Sequence, residues 1–327
     1  MTIDWQPLKQ MIKCCDRFLL TSHCRADCDA VGSELALALI LKSLGKQVQI
    51  VNGDPVPEHI CFLDSEHRVQ VLGDTIQSTQ LSKVDALIVV DTSAWGQLGP
   101  MADVVRNFPG ERAVIDHHLS SDDLGATVIR DETAEATGRL ILELAEEFSV
   151  KVTPEMATPL FAAIATDTGW FRFSSVSEKT FLALAKLVAA GARPPEVFSS
   201  LYEQHSLPRL YLRSRILGSV VADVGGRLMS THVTKQDFTE TGANKTDTED
   251  VINVLLTVAG SELAVLFVEL DEETTKVSLR SRSDFDVRAI AAQFGGGGHR
   301  AAAGVSFPGN IDEARTAVLD ALRAALG

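Results

Sequence analysis

The sequence predicts an α/β protein of two domains, the first built on a parallel sheet, and three observations lead to this prediction. Residues 1–190 alternate short β-rich apolar runs with helical patterns, which is typical of a parallel sheet covered by helices. A stretch containing several prolines and a glycine, 191–217, interrupts this alternation and is predicted to be a helical linker. Residues 218–327 then show a new series of strands and helices, so we expect a smaller second α/β domain and a cleft between the two. A chain of 327 residues is long enough to bury a core in each domain.

The elements of the first domain follow from the spacing of its apolar residues. Short apolar runs predict strands at 18–22, 47–51, 86–90 and 113–115. Helical spacing predicts helices at about 5–16, 31–44, 134–148 and 154–166. Asp167 is then expected just past the end of the last of these helices.

The second domain is predicted in the same way. Strands are expected at about 219–223, 227–233, 263–270 and 275–281. Helices are expected at about 248–258, 286–293 and 311–325. Four glycines at 295–298 are predicted to form a loop between the last two helices.

Composition and charge narrow the classes of partner. A formal net charge of −14 argues against a protein that coats long nucleic acid or long duplexes, because such binding depends on many Lys and Arg contacts with phosphate. A local basic cluster near the C-terminus could still bind a small anion, and it consists of Arg280, Arg282, Arg288, His299 and Arg300. No apolar run is long enough to cross a bilayer, so no membrane partner is expected. The absence of a signal-peptide pattern and the odd number of cysteines, 5, predict reduced thiols and a cytoplasmic location.

Acid and imidazole side chains follow four apolar segments of the first domain, which indicates a metal site at one edge of the sheet. In chain order they are His23, Asp27 and Asp29; Asp91; Asp116, His117 and His118; and Asp167. A donor set of carboxylates and imidazoles without thiolate favours Mn²⁺, Mg²⁺, Fe²⁺ or Co²⁺ over structural zinc. The acids are too many for one cation, whereas two cations about 3.5–4 Å apart match the geometry of phosphoryl hydrolysis. A single Asp after a strand is more often a turn former or helix cap, but that reading does not explain four such segments.

These residues resemble the four motifs of the DHH phosphoesterase superfamily, and the match runs from residue 20 to residue 170 in the expected order. Members include a single-strand exonuclease of recombination repair, family II inorganic pyrophosphatases, cyclic dinucleotide phosphodiesterases and small oligoribonucleases. The resemblance implies that one metal is held by His23, Asp27 and Asp91. It implies that the other is held by Asp29, Asp91, His117 and Asp167, with Asp91 bridging. Asp116 would orient an imidazole, and His118 would face the substrate phosphate, so Asp91 and His118 are the expected catalytic residues.

The segment from Phe294 to Gly304 is the second informative pattern. Composition alone suggests a flexible glycine linker, but this run lies between an apolar helix and a stretch of small residues. Successive glycine N–H groups can instead surround a phosphate. Leu279-Arg280-Ser281 and the Gly-Gly-Gly-Gly-His299 run together resemble the C-terminal substrate domain associated with DHH proteins. The resemblance implies that substrate is bound by Arg280, Ser281, Gly296, Gly297, Gly298, His299 and Arg300.

Within the superfamily, the length and this pair of motifs resemble the oligoribonucleases that also remove phosphate from 3′-phosphoadenosine-5′-phosphate (pAp). This resemblance implies an enzyme with two Mn²⁺ per subunit, Mg²⁺ or Co²⁺ being alternatives. The enzyme would hydrolyse short RNA to mononucleotides and pAp to AMP. A cyclic-di-AMP or pApA phosphodiesterase uses the same site and stays open, as does a non-catalytic nucleotide sensor. A homodimer is a further expectation.

Overall fold

A computed structural model describes residues 3–81, 83–119 and 122–326 of the chain. It divides into two compact units, Met1–Gln204 and His205–Gly327. The division lies within the stretch 191–217 that the sequence marks as a linker, and that stretch is mostly helical.

The first unit contains a parallel sheet of six strands. The strands are β1 (Arg17–Thr21), β2 (Gln47–Asn52), β3 (Val69–Val71), β4 (Ala86–Val90), β5 (Glu111–Asp116) and β6 (Thr127–Arg130). Their order is β3-β2-β1-β4-β5-β6, so the direction in which strands are added reverses between β1 and β4. Crevices that bind ligands in open α/β sheets lie at such reversals, outside the carboxyl ends of the strands.

Helices cover both faces of this sheet. They are α1 (Gln6–Cys14), α2 (Cys28–Ser43), α3 (Met101–Asn107), α4 (Thr137–Glu147), α5 (Pro154–Asp167), α6 (Glu178–Ala189) and α7 (Pro194–Tyr202). All five residues of β4 are buried, as expected for a Val/Ile-rich parallel strand covered on both sides. Ile88 belongs to the large core beneath α2, α4 and α5, whereas its neighbour Leu87 belongs to the smaller core beneath α3.

Helix α2 begins earlier than the sequence predicts, which corrects one expectation about the site. Asp27 caps it, because its Oδ1 accepts hydrogen bonds from the N–H groups of Asp29 and Ala30 at 2.9 and 3.1 Å. Asp29 therefore lies in the first turn of the helix and not in a preceding loop. The N–H groups of Gly32 and Ser33 lie inside the helix. Gly32 permits close packing on α5, since a Cβ there would lie 2.5 Å from the carbonyl oxygen of Pro159.

The second unit contains a mixed sheet of six strands in the order β11-β12-β10-β9-β8-β7. Its strands are β7 (Val221–Asp223), β8 (Leu228–Val233), β9 (Leu263–Glu269), β10 (Thr274–Ser281), β11 (Gly297–His299) and β12 (Ala302–Pro308). Its helices are α8 (Leu207–Gly218), α9 (Lys235–Thr241), α10 (Val251–Leu255), α11 (Val287–Gln293) and α12 (Ile311–Leu326). Val277 and Leu279 of β10 share one buried cluster with Val318 and Leu322 of α12. The predicted α/β class, with a parallel first sheet and a second α/β unit, is confirmed.

The glycine run of the second unit differs from the prediction of a loop. Gly297, Gly298 and His299 form the edge strand β11, which pairs antiparallel with β12. Gly298 has φ 139°, and a Cβ there would lie 2.5 Å from the carbonyl oxygen of Ala302, so this position requires glycine. Glycine is rare in strands, which is why the pattern predicted a loop.

Within the described part of the chain, no helix is both long enough and apolar enough to cross a membrane.

Candidate metal centre

The acids and imidazoles singled out in the first half of the chain come together at the carboxyl edge of the first sheet. The neighbouring strands β1, β4 and β5 are aligned in parallel register, with Thr21 beside Val89 and Val90 beside Ile115. His23, Asp91 and His117 therefore leave the sheet at the same edge. Helix α2 adds Asp27 and Asp29 from its start, and α5 adds Asp167 from its last residue.

Three of these side chains, His23, Asp27 and Asp91, form one group whose ligand atoms all lie within 4.8 Å of one another. Nε2 of His23 is 3.4 Å from Oδ2 of Asp91 and 3.9 Å from Oδ1 of Asp27. We call this set the His23 group.

A second group, the His117 group, consists of Asp29, His117 and Asp167 and meets the same 4.8 Å limit. Nε2 of His117 is 3.7 Å from Oδ2 of Asp29 and 3.3 Å from Oδ2 of Asp167. The same nitrogen is 3.6 Å from Oδ1 of Asp91. Asp91 thus presents one oxygen to each group, Oδ2 to His23 and Oδ1 to His117.

The backbone presents the Nε2 atom of each histidine to its group. Nδ1 of His23 is 3.0 Å from the carbonyl oxygen of Cys24, and Nδ1 of His117 is 3.1 Å from that of Ala134. A carbonyl only accepts, so Nδ1 carries the proton in both rings and Nε2 keeps a free lone pair. This is the arrangement that fixes ring orientation in metal-binding histidines.

The two most deeply placed acids are held by hydrogen bonds. Asp91 has φ 63°, a left-handed conformation that Asp tolerates better than most residues, and its N–H donates to the carbonyl of Ile115 at 3.0 Å. Oδ1 of Asp91 also accepts from the hydroxyl of Thr137 at 2.8 Å. Asp29 accepts at Oδ2 from the N–H of Thr137 and at Oδ1 from that of Gly138, both at 2.7 Å.

The electrostatics of this cluster call for cations from outside the chain. Burial raises the pKa of Asp29 well above its usual value, and the neighbouring charges of Asp91 and Asp167 raise it further. Burial likewise raises the pKa of Asp91, with a contribution from Asp27. Among the described residues, no Lys or Arg pairs with any of these four carboxylates; the nitrogens close to them belong to the imidazoles of His23, His117 and His118. Buried acids without a basic partner, arranged with imidazoles and without thiolate, fit a pair of hard or borderline divalent cations.

His118 lies beside the two groups and is held by Asp116. Oδ1 of Asp116 accepts from Nδ1 of His118 at 2.8 Å and from its backbone N–H at 3.1 Å. The hydroxyl of Ser93 donates to the other oxygen of Asp116, and Nη2 of Arg130 donates to that hydroxyl at 3.3 Å. The hydrogen bond that His118 donates to Asp116 raises the pKa of His118, although burial opposes this. Burial acts to raise the pKa of Asp116, but hydrogen bonds from His118 and Ser93 lower it overall. With Nδ1 occupied, Nε2 is the nitrogen that this half-exposed ring offers to a ligand.

In the second unit, two of the predicted substrate residues lie in one row across three strands. Ala302 of β12 is paired with Arg280 of β10 on one side and with His299 of β11 on the other. Directly paired residues share a face of the sheet, so Arg280 and His299 flank the small side chain of Ala302. The next row on the same face contains only small residues, namely Ser278, Gly304 and Gly297. Together these positions form a shallow floor bordered by two basic side chains.

The other predicted substrate residues are placed differently. Ser281 points to the opposite face from Arg280, is mostly buried, and donates its hydroxyl to the carbonyl of Ser283 at 3.1 Å. Arg300 donates from Nε to the carbonyl of Asp284 at 3.0 Å and forms an ion pair with that residue. Gly296 packs so closely on β12 that a Cβ would lie 2.3 Å from the carbonyl oxygen of Gly304.

Sequence reasoning missed Thr137, Ser93 and Arg130. Each is a common polar residue in an ordinary local pattern, and its contacts are with residues distant in sequence. The one available signal for Thr137 was its place in the first turn of the predicted helix 134–148. A threonine there indicates where a helix begins and does not indicate a contact with metal ligands.

Comparison with known proteins identifies the family. Residues 17–164 match the N-terminal domain of the DHH family, and residues 225–326 match the DHHA1 domain. A bifunctional oligoribonuclease and PAP phosphatase NrnA from Thermus thermophilus is 32% identical over 93% of this chain and 88% of its own length. The chain belongs to the DHH family. The family predicted from the four motifs is therefore confirmed, and with it an enzyme of the phosphoesterase class.

Further relatives agree with this membership. The NrnA protein of Bacillus subtilis is 28% identical over 89% of this DHH chain and 90% of its own length. An exopolyphosphatase-related protein from Bacteroides fragilis has a similar crystal structure, with a TM-score of 0.88 and 25% identity, covering 99% of this chain and 97% of that one. The exonuclease RecJ bound to manganese shares the fold, with a TM-score of 0.56 and 14% identity, covering 99% of this chain and 95% of that one.

Proposed function

We propose that this DHH protein is a two-metal phosphoesterase that hydrolyses short oligoribonucleotides to mononucleotides and pAp to AMP and phosphate. The observation that carries the proposal is the pair of adjoining ligand groups that share Asp91. The substrate is inferred from the relatives named bifunctional oligoribonuclease and PAP phosphatase, which match along nearly the whole chain.

His23, Asp27 and Asp91 would hold one cation, and Asp29, Asp91, His117 and Asp167 the other. Mn²⁺ suits this mixture of carboxylate and imidazole, and Mg²⁺ or Co²⁺ are the alternatives. When bound, two divalent cations lower the pKa of a water molecule and neutralise charge on the phosphoryl oxygens. The chain contributes rigid placement of the ligands, because the histidine rings and both buried carboxylates are held by hydrogen bonds before any cation arrives.

His118 is assigned a role with the phosphate of the substrate. The hydrogen bond to Asp116 keeps a proton on Nδ1 of His118. Nε2 is therefore the atom able to contact a phosphoryl oxygen or to deliver a proton to the leaving alkoxide. Ser93 and Arg130 in turn hold Asp116, which fixes the direction of the imidazole.

Arg280 and His299 are assigned the binding of the part of the substrate away from the scissile phosphate. Their two side chains border a floor of small residues, where a base or ribose can approach the strands closely. Gly297 is part of this floor. Ser281, Gly296, Gly298 and Arg300 would then support the surface more than contact the ligand directly. A homodimer, a cytoplasmic location and Mn²⁺ as the native metal stay predictions.

A substrate panel tests the proposal. Purified protein with Mn²⁺ should release mononucleotides from dinucleotides and short RNA, and phosphate from pAp, with rates that fall as the RNA lengthens. Faster hydrolysis of cyclic di-AMP than of linear dinucleotides would favour the cyclic dinucleotide phosphodiesterase instead. Binding of nucleotides without any release of phosphate or mononucleotide would indicate a sensor.

A further inference from the structure

Thr137, the first residue of α4, contacts acids of both ligand groups at once. Its hydroxyl donates to Oδ1 of Asp91 at 2.8 Å, and its N–H donates to Oδ2 of Asp29 at 2.7 Å. The residue is fully buried, so neither hydrogen bond competes with bulk water. Thr137 thereby joins Asp29 of α2 to Asp91, which follows β4 and is assigned to both cations. It does so at Oδ1, the oxygen of Asp91 that faces the His117 group.

The start of α4 also contacts both carboxylate oxygens of Asp29. The N–H of Gly138 donates to Oδ1 of Asp29 at 2.7 Å, so each oxygen of this buried carboxylate receives one amide from the first turn of the helix. Helix N-termini carry partial positive charge, so the start of α4 suits a carboxylate, and the two amides hold both oxygens of Asp29 in place.

The first turn of α4 is itself held by a buried ion-pair network. Nε of Arg139 donates to Glu135 at 2.8 Å, Nη2 donates to Asp131 at 3.2 Å, and Nη1 pairs with Glu143. Arg139 and Glu135 are each 2% exposed. A cation and an acid buried together must stay paired, because separating them leaves an uncompensated charge in the interior. The network keeps the amides and the hydroxyl of this turn in place.

We propose that Thr137 is a positioning residue that sets the distance between Asp91 and Asp29, two acids assigned to the cation of the His117 group, and hence the geometry of that cation position. This inference rests on the proposed metal centre. A residue that merely begins a helix would affect stability alone, whereas a positioning residue would affect how the second cation binds.

Three substitutions separate the contacts of Thr137. Thr137→Val keeps the shape and removes the hydroxyl, and Thr137→Ser keeps the hydroxyl and removes the methyl group. Thr137→Pro removes the N–H as well as the hydroxyl, and its Cδ takes the space towards Asp29 Oδ2, so that this carboxylate oxygen must move. Proline is favoured at the first position of a helix, and Ala136 before it already has φ −164° and ψ 151°, the extended conformation that precedes proline.

The matched control is Thr180→Val. Thr180 is also fully buried in the first turn of a helix, α6, and its hydroxyl oxygen accepts from the N–H of Ser177 at 3.0 Å. Among the described residues, its hydroxyl has hydrogen-bond partners only in Ser177, which is not assigned to a cation. Its loss should lower stability without changing metal binding.

Isothermal titration of the metal-free proteins with Mn²⁺ measures the effect, with unfolding in EDTA and the kcat and KM of dinucleotide hydrolysis measured alongside. Thr137→Val should weaken the weaker of the two Mn²⁺ sites by about 10- to 100-fold and lower kcat more than it changes KM. Thr137→Ser should have Mn²⁺ affinity and kcat close to those of the wild type. Thr137→Pro should bind Mn²⁺ more weakly than Thr137→Val does. Thr180→Val should bind two ions like the wild type.

Wild-type Mn²⁺ affinity in Thr137→Val would overturn the inference and leave the proposed function standing. If Thr137→Val does not fold, a 10-fold or greater weakening of Mn²⁺ binding in Thr137→Ser relative to the wild type would overturn it, because the hydroxyl is then not the group that acts. A wild-type protein that binds no Mn²⁺ and hydrolyses nothing would overturn the proposed function together with the inference.

Discussion

Glu34 offers a prediction whose size follows from the structure. This residue of α2 is fully buried, and Nδ2 of Asn52 donates to its Oε2 at 2.9 Å. Oδ1 of Asn52 in turn accepts a hydrogen bond at 3.2 Å from the N–H of Ser22, which is the residue before His23. Burial raises the pKa of Glu34 from 4.5 to about 7, although the hydrogen bond from Asn52 opposes this.

A carboxyl with a raised pKa stabilises the folded chain at low pH. Between pH 4.5 and about 7 the folded state holds a proton on Glu34 that the unfolded state has released, so the free energy of unfolding falls as the pH rises through this window. At about 1.4 kcal/mol per pKa unit, the loss amounts to about 3 kcal/mol. Glu34→Gln stays neutral throughout and should not show this loss.

The assay is urea unfolding of the wild type and Glu34→Gln in EDTA at several pH values from 4.5 to 8.5. The difference between the two proteins cancels groups that titrate alike in both. The free energy of unfolding of Glu34→Gln minus that of the wild type should rise by about 3 kcal/mol as the pH increases from 4.5 to 8.5. Most of this rise should occur below pH 7. A difference independent of pH would show that Glu34 does not titrate in this window and would refute the reasoning.

Three further outcomes are expected. Asp91→Ala should lose nearly all hydrolysis of a dinucleotide with Mn²⁺, since both ligand groups use this residue, and activity close to wild type would contradict the bridging assignment. His299→Ala should reduce dinucleotide turnover much more than hydrolysis of bis-p-nitrophenyl phosphate, and equal losses on both would exclude a role with the distal substrate. Arg139→Met should lower the free energy of unfolding by about 3–5 kcal/mol in urea titrations, because Glu135 is left buried without a partner; a change below about 1 kcal/mol would mean that the network does not hold α4.

The sequence was informative where apolar runs end in acids. The strands at 18–22, 86–90 and 113–115 correspond to β1, β4 and β5, and their parallel alignment brings His23, Asp91 and His117 to one edge. A parallel sheet places all carboxyl ends together, so ligands after separate strands meet without any further assumption. Asp91 was predictable as a candidate ligand because it follows the buried strand β4 directly.

Other features of the structure could not be predicted, because they depend on contacts between residues that are distant in the sequence. The strands β3 and β6 are short and only partly buried, and β11 is formed by glycines, so each lacks the alternation that predicts a strand. The start of α2 was placed too late, because Asp27 was read as a ligand and not also as a helix cap. Thr137 reaches Asp91 across 46 positions and Asp29 across 108, distances over which sequence spacing predicts no contact.

The central claim is that two divalent cations share Asp91 between the His23 group and the His117 group. Anomalous diffraction from crystals grown with Mn²⁺ tests it most directly. We expect two peaks about 3.5–4 Å apart, with Asp91 between them and one histidine beside each. A single peak, or peaks away from Asp91, would contradict the account.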